Sequence, residues 1–454
     1  MSATARLAEF VVKTSLHDVP PEALACVRRA ALDTLGVMLA GASEPAAAIV
    51  RRTIRVEGGV PLSTVIGSTL RTAPTWAALA NGVAGHAHDF DDTNFALMGH
   101  PSVPLFAAAL AAGEAEMADG RALALAYVLG FEIDAAIGSA LNPDHYVRGW
   151  HATASIGTLG CAAAASRLLL LDAEATRHAL GIAASLSSGL KENFGSMTKP
   201  YHAGHAARNG VWAAMLAREG FTASDSVLEG AQGYVRAFGA PAALDETLAT
   251  LGRTWHVTTS RVAVKPYPSC ALTHAAIDAL IRLRTEHQVD PERILDVEIG
   301  VHRVTPDVLQ HARPATALER KFSMPFCAAT ALVDGRVDIG SFADGEIANP
   351  ATRRLMPRVR MVVDDAIPDA LERQAWSRVT VRFADGRTIA MPPAGARGHP
   401  DDPLSDVALR EKFLGCAAPV LSGDEAEGVA DQIARIDEVP DVRALTSRLR
   451  GNLE

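Results

Sequence analysis

The 454-residue sequence lacks several features that mark whole classes of protein. Its five cysteines are scattered and form no CxxC pair, which offers no zinc or iron–sulfur framework and is typical of a reducing compartment. No segment reaches the roughly 18 uninterrupted apolar residues of a membrane helix, so we expect no membrane span. The N-terminal MSATARLAEFVVKTS does not have the charged-then-apolar layout of a signal peptide. These absences predict a cytoplasmic protein.

The sequence also lacks any excess of positive charge. Its formal net charge is −9, whereas a nucleic-acid-binding protein needs a basic face. We therefore expect no nucleic-acid partner, and an anionic substrate would have to meet a local cationic pocket. Hydrophobic residues make up 48% of the chain and charged residues 21%, as in an ordinary soluble globular protein.

What the sequence does contain is a long series of helical patterns followed by a mixed segment. Between residues 73 and about 221, apolar runs rich in Ala and Leu are separated by Gly, Pro and Asn-Pro breaks, which predicts a large helical bundle. Residues 295–301 alternate with period two, and residues 379–391 predict a hairpin with an Asp-Gly turn. A chain of this length normally forms two domains. We predict a mainly α protein with an all-helical domain, 1–265 and 399–454, and a smaller α/β (α+β) domain, 266–398.

The stretch from Gly85 to Ser102, GHAHDFDDTNFALMGHPS, is the densest polar segment of the chain. It holds three carboxylates and three imidazoles between two apolar runs. Burying such groups costs free energy unless they form ion pairs or hydrogen bonds or take part in function. If the preceding helix continues to Thr93, Asp89 and Thr93 lie on one helical face; His100 follows, and Ser102 caps the next helix. A solvated loop is the alternative. A metal site is disfavoured because HAHDFDD lacks the final histidine of an HxHxDH motif.

Three further segments place polar side chains at the start of a predicted helix. His151 directly precedes an apolar helix, whose dipole disfavours the charged imidazole. Residues 193–208 are glycine-rich and cationic, as suits an anion site at a helix N-terminus. Residues 265–274 lie at the predicted domain junction, a preferred place for ligand pockets. Each has a plain structural alternative: a capping histidine, a solvated loop and a hinge.

Together with KFSMPFCAATALVDG at 321–335, these segments resemble the MmgE/PrpD family, which includes 2-methylcitrate dehydratases, cis-aconitate decarboxylases and iminodisuccinate epimerases. The other matching pieces are HDFDDT…GHPS, GWHATASIGTLG, NFGSMTKPYHAGHAARNG and KPYPSCALTH, in family order over essentially the whole chain. The resemblance implies that the α/β domain is a lid, that the protein is a homodimer, and that it uses neither metal nor organic cofactor. The step from Thr93 to His100 is one residue longer than in the decarboxylase members and closer to the epimerase members.

Family substrates are small di- and tricarboxylates, and removing a proton beside a carboxylate creates an enolate-like state that needs preplaced positive charge. The resemblance therefore implies a cofactor-independent lyase, with 2-methylcitrate-type dehydration as the first expectation. Alternatives are cis-aconitate decarboxylation, iminodisuccinate-type epimerisation and, more remotely, carboxylate binding without catalysis. The expected catalytic residues are Asp89, His100, His151, Lys199 and His274. The expected substrate-binding residues are Thr93, Lys265, Tyr201, His202 and Arg208.

Overall fold

The computed structural model describes residues 1–239, 244–370 and 373–454. Helices dominate and the sheets are small, so the mainly α fold class is confirmed. The first helices are α1 (Ala3–Lys13), α2 (Pro21–Gly41), α3 (Pro45–Glu57), α4 (Pro74–His86), α5 (Ser102–Ala115), α6 (Gly120–Leu141), α7 (Asp144–Val147), α8 (Ala152–Ser155), α9 (Gly157–Leu168), α10 (Ala173–Leu186) and α11 (Thr198–Arg218). The later helices are α12 (Tyr234–Phe238), α13 (Leu244–Ala249), α14 (His256–Thr259), α15 (His274–Glu286), α16 (Thr305–Val308), α17 (Ala317–Arg320), α18 (Met324–Asp334), α19 (Pro350–Leu355), α20 (Asp406–Ala417), α21 (Gly423–Ile433) and α22 (Val442–Thr446).

The strands form two separate sheets. They are β1 (Ser63–Thr64), β2 (Arg71–Thr72), β3 (Ile294–Val301), β4 (Val359–Val363), β5 (Ser377–Phe383) and β6 (Thr388–Ala394). The larger sheet has the order β4-β3-β5-β6, in which β3 and β4 are parallel and the other pairs antiparallel. Val297 pairs with Val359 on one side and Val381 on the other, so the period-two apolar residues of β3 lie in the centre of the sheet.

The apolar side chains gather in two clusters. The first takes residues from 3 to 257 and from 413 to 449, so helices from both ends of the chain share one core. The second takes residues from 267 to 383 and surrounds the larger sheet with α15 and α18. The tail also reaches the polar stretch, because Lys412 of α20 donates a hydrogen bond to the Phe90 carbonyl at 2.7 Å.

Helices α4 and α11 approach each other closely because both carry glycine at the crossing. A Cβ on Gly82 would lie 2.5 Å from the Gly204 Cα, closer than any side chain tolerates. The two helices run in opposite directions there, so the end of α4 meets the beginning of α11. This packing brings His86 and Lys199 together.

The polar stretch is not a continuation of α4, so Asp89 and Thr93 do not share a helical face as they would if the helix continued to Thr93. Helix α4 ends at His86, and Asp89 has a φ of 52°, a left-handed backbone that a right-handed helix does not contain. Thr93 instead pairs with Ala263 in an isolated antiparallel bridge. The predicted cap is wrong as well: α5 begins at Ser102 itself, whose hydroxyl bonds to Asp92 and Tyr127.

Helix α6 is long and apolar enough, by length and composition, to cross a membrane. However, 89% of its most apolar window is buried inside the structure. It also carries the buried carboxyl groups of Glu132 and Asp134. Helix α6 therefore packs as a core helix of the first apolar cluster.

Candidate active site

A cavity lies where the polar stretch meets the segments that follow residue 265. Its volume is about 130 Å³, whereas one water needs roughly 10–15 Å³. The predicted helical domain contributes Asp89, Thr93, His100, His151 and Lys199 to its lining, and Lys265, the last residue before the predicted domain boundary, also lines it. Six of the ten residues predicted for the site therefore line one cavity, which is large enough for a small molecule.

Asp89 is held between two ammonium groups. Its Oδ1 accepts hydrogen bonds from Lys199 Nζ at 3.0 Å and from Lys265 Nζ at 2.7 Å, and Lys265 also donates to the Asp89 carbonyl at 2.9 Å. All three side chains are at most 5% exposed. An ammonium group has three N–H donors. Lys199 donates one to Asp89 and a second to His86 Nε2 at 2.8 Å. Each lysine is thus left with one N–H for a ligand.

The charges of this group follow from burial and pairing. Burial disfavours the ionised form of Asp89, but Lys199 and Lys265 outweigh it and hold the pKa of that carboxyl well below its usual range. Burial lowers the pKa of Lys199, and the attraction of Asp89 opposes this shift. Among the residues that the structure describes, the charged groups that line the cavity are therefore one carboxylate and two ammonium groups.

Behind Lys199, two histidines share a second buried carboxylate. His86 Nδ1 donates to Asp91 at 2.8 Å, which leaves Nε2 to accept from Lys199. His100 Nδ1 lies 3.2 Å from Asp91 Oδ2, and His100 Nε2 lies 3.6 Å from Asp89 Oδ1. Burial lowers the pKa of His86 to about 4 and also lowers that of His100, so both rings are neutral at neutral pH.

His151 also lines the cavity, and its ring contacts His202. Their Nδ1 atoms are 3.0 Å apart, so one ring donates to the other. Burial and the nearby Lys199 keep the pKa of His151 well below its usual range, and burial lowers that of His202 to about 3. His202 does not line the cavity, and it acts on the site only by orienting His151.

Backbone contacts between distant segments fix these side chains. The His100 N–H donates to Thr153 Oγ1 at 2.9 Å, and the His151 N–H donates to the Gly189 carbonyl at 3.0 Å. Lys321 Nζ donates to the carbonyls of His88 and Pro268 at 3.0 and 3.2 Å. Lys321 thereby connects the polar stretch to the segment that carries Lys265.

Several of these side chains are close enough to share a metal ion. One group is His86, His100 and His151, and the other is His86, Asp89, Asp91 and His100, with ligand atoms within 4.8 Å of one another in each group. The ammonium of Lys199, however, already contacts both His86 Nε2 and Asp89 Oδ1. A protonated lysine among the donors repels a cation, so the residues present do not fit a metal centre well.

Three other predicted residues do not line the cavity. Tyr201 is 38% exposed, and Arg208 stacks on the Trp76 ring at 4.7 Å. His274 is buried outside it, with Nε2 bonded to the Ser269 carbonyl at 3.0 Å. Tyr201 and Arg208 share a helix with Lys199 but project from other parts of its surface, which places them outside the lining.

Sequence reasoning missed other residues around the cavity. His86 and Asp91 lie in the polar stretch, and their spacing gave no reason to prefer them over their neighbours. Tyr146 lies in α7 and lines the cavity, and Val304 and Val308 line it as well. The two valines carry no signal in the sequence, because apolar residues in a mixed segment normally indicate core packing.

Comparison with known proteins identifies the chain. Residues 5–247 match the MmgE/PrpD N-terminal domain and residues 267–438 match the MmgE/PrpD C-terminal domain. The chain belongs to the MmgE/PrpD family. Within the family it is similar to cis-aconitate decarboxylase from Homo sapiens, 31% identical over 437 residues that cover 93% of this chain and 89% of the relative.

Two further relatives are also similar to this chain over nearly its whole length. Cis-aconitate decarboxylase from Mus musculus is 30% identical over 435 residues, covering 93% of this chain and 88% of the relative. Cis-aconitate decarboxylase from Aspergillus terreus is 25% identical over 474 residues, covering 98% and 95%. The family and these relatives indicate an enzyme of the lyase type.

Proposed function

We propose that this MmgE/PrpD protein is a lyase that acts, without a cofactor, on a small di- or tricarboxylate at a carbon next to a carboxylate. The observation that carries the proposal is the position of Asp89 between Lys199 and Lys265 at a buried cavity. Each ammonium has one N–H left for a substrate carboxylate. Positive charge preplaced in a water-poor site stabilises an enolate-like state more strongly than water does.

The neighbouring groups supply proton transfer. The neutral ring of His151 can accept a proton, and positioned histidines typically contribute about 10²–10⁴-fold to rate. Lys199 is the proposed proton donor, because it is a cavity-lining ammonium whose pKa burial lowers. Asp89 is ionised but hydrogen-bonded to both lysines, which makes it a weak base; its proposed role is to hold the two ammonium groups in place.

Decarboxylation of a cis-aconitate-like acid is the first candidate reaction, because the similar proteins above are named for that activity. The bond between the carboxylate carbon and its neighbour breaks, CO₂ leaves, and the electron pair remains as the enolate. A proton donor then protonates carbon. Dehydration of 2-methylcitrate is the second candidate, favoured by Val304, Val308 and Leu272, against which a methyl group can pack.

The test is incubation of metal-stripped protein with 2-methylcitrate, cis-aconitate and both epimers of an iminodisuccinate-type diacid, followed by NMR. Loss of a carboxyl carbon, loss of water and inversion of a stereocentre distinguish the three reactions. Turnover of none of these acids would overturn the lyase proposal. Tight calorimetric binding of one of them without turnover would instead support a non-catalytic carboxylate-binding protein.

A further inference from the structure

Part of the described lining of the active-site cavity is apolar. We call it the apolar wall, and it consists of Phe95, Met98, Leu272, Val304 and Val308. The first two lie in the polar stretch, Leu272 lies in a short turn before α15, and the valines flank and end α16. Three separate segments of the chain therefore contribute apolar side chains to the lining.

The charged side chains of the cavity lining can neutralise only a small number of substrate carboxylates. Lys199 and Lys265 both bind Asp89, so the lining groups within the described part of the chain carry a net excess of one positive charge. A carboxylate placed against the apolar wall would lose its water and gain no partner, which is unfavourable. Aliphatic carbon at the same place would gain from leaving water. The wall is matched to an aliphatic substituent and not to another carboxylate.

Two residues of the apolar wall also line a neighbouring cavity of about 440 Å³. Val304 and Val308 line both cavities, together with Tyr146 and Phe194, and the neighbouring cavity also has charged lining residues that include Lys191, Glu192 and Asp307. Its outer side includes Leu190, which is 50% exposed, so this outer cavity reaches the protein surface. Because the two cavities share these four side chains, a substituent longer than a methyl group that follows the valines would extend toward the outer cavity.

We infer that the substrate is a dicarboxylate-type acid with an unbranched aliphatic substituent longer than a methyl group, which lies along the apolar wall toward the outer cavity. The inference rests on the proposed function, since the carboxylates bound by Lys199 and Lys265 direct the substituent to the wall. The reaction at the carboxylate end is unchanged by the substituent.

The test measures calorimetric affinities for succinate and its 2-methyl, 2-ethyl, 2-propyl and 2-butyl derivatives. Affinity should rise about fourfold per added carbon through at least the propyl compound. Val304→Thr and Val308→Thr should each reduce this gain severalfold, measured relative to the affinity of the same variant for succinate, which has no substituent. Val304 is half-buried, which keeps one variant informative if Val308→Thr destabilises the fold. Val363→Thr, at a 55% exposed position on β4, is the matched control and should change nothing.

The other possible results of the binding series distinguish failure of this inference from failure of the proposed function. Equal affinities across the series, or a decline beyond methyl, would overturn this inference and leave the proposed function standing. Failure of the wild-type protein to bind any member would count against the carboxylate site, and so against both proposals. Lys199→Ala should weaken binding of every member, which places the probes in the active-site cavity.

Discussion

Asp89 Oδ1 lies 3.0 Å from Lys199 Nζ, although 110 residues separate them in the chain. The two side chains are 5% and 4% exposed. A buried ion pair contributes little net stability, because the loss of hydration offsets the attraction, and breaking such a pair leaves an uncompensated charge. We therefore attribute the pair to the chemistry of the cavity. The left-handed backbone at Asp89 is a second local cost that often accompanies a functional site.

Replacing Asp89 by Asn should impair both folding and activity. Two buried ammonium groups would lose their counter-charge, so the free energy of unfolding should fall by about 3–5 kcal/mol. We expect kcat to fall about 100-fold because the lysines lose their orientation. Urea denaturation and steady-state kinetics measure the two effects. Asp365→Asn, at an exposed position, is the control; wild-type activity in Asp89→Asn would contradict the role given to this carboxylate.

Replacing His151 by Ala should abolish most turnover and keep the fold. The ring lines the cavity as a neutral proton acceptor, and its loss should lower kcat by about 10²–10⁴-fold. Circular dichroism checks the fold. His205→Ala is the matched control, because His205 lies on α11 outside the cavity lining. Equal kcat values in the two variants would exclude proton transfer by His151.

Removing metal ions should leave activity unchanged. Lys199 already supplies positive charge between His86 and Asp89, where a metal would have to bind. The measurement is turnover before and after chelation, with elemental analysis of the purified protein. A loss of activity that zinc or manganese restores would contradict the prediction.

Asp92→Asn should change how stability depends on pH. Burial and the nearby Asp33 raise the pKa of Asp92 from 3.8 to about 8, so its folded form is protonated at neutral pH. Folding takes up a proton between these values; the stability contribution of Asp92 is complete below about pH 4 and is lost as pH rises to about 8. Relative to wild type, Asp92→Asn should gain stability across this window. Urea denaturation at pH 5, 6.5 and 8 measures it, and a constant difference would refute the protonated state.

Much of the fold follows from local patterns in the sequence. Period-two residues predict β3, and the Asp-Gly turn predicts the β5–β6 hairpin, because burial of one face and turn geometry act over a few residues. The end of α4 could not be predicted, since Ala-rich sequence continues to Ala87 and the stop depends on Asp89 meeting two distant lysines. The domain boundaries at 265 and 399, the lid role and the homodimer stay predictions.

The candidate site also combines residues that can be predicted from the sequence with contacts that depend on tertiary packing. Asp89, Lys199 and His151 stand out because ionisable side chains between apolar helices need partners. Their partners are set by tertiary packing: the glycine contact of Gly82 and Gly204 decides that His86 meets Lys199. The spacing of residues in the sequence does not predict that His86 contacts Lys199. It does not predict that Val304 lines the cavity either.

The central claim is that buried lysine charge at this cavity, without metal, supports chemistry beside a carboxylate. Lys199 and Tyr201 test it most directly, because both lie at the start of α11, and Lys199 lines the cavity whereas Tyr201 is 38% exposed. The measurement is kcat/KM of Lys199→Ala and Tyr201→Ala, metal-stripped, on the acid that wild type turns over best. We predict a fall of about 100-fold or more for Lys199→Ala and a change within about twofold for Tyr201→Ala. Wild-type kcat/KM in Lys199→Ala would contradict the claim.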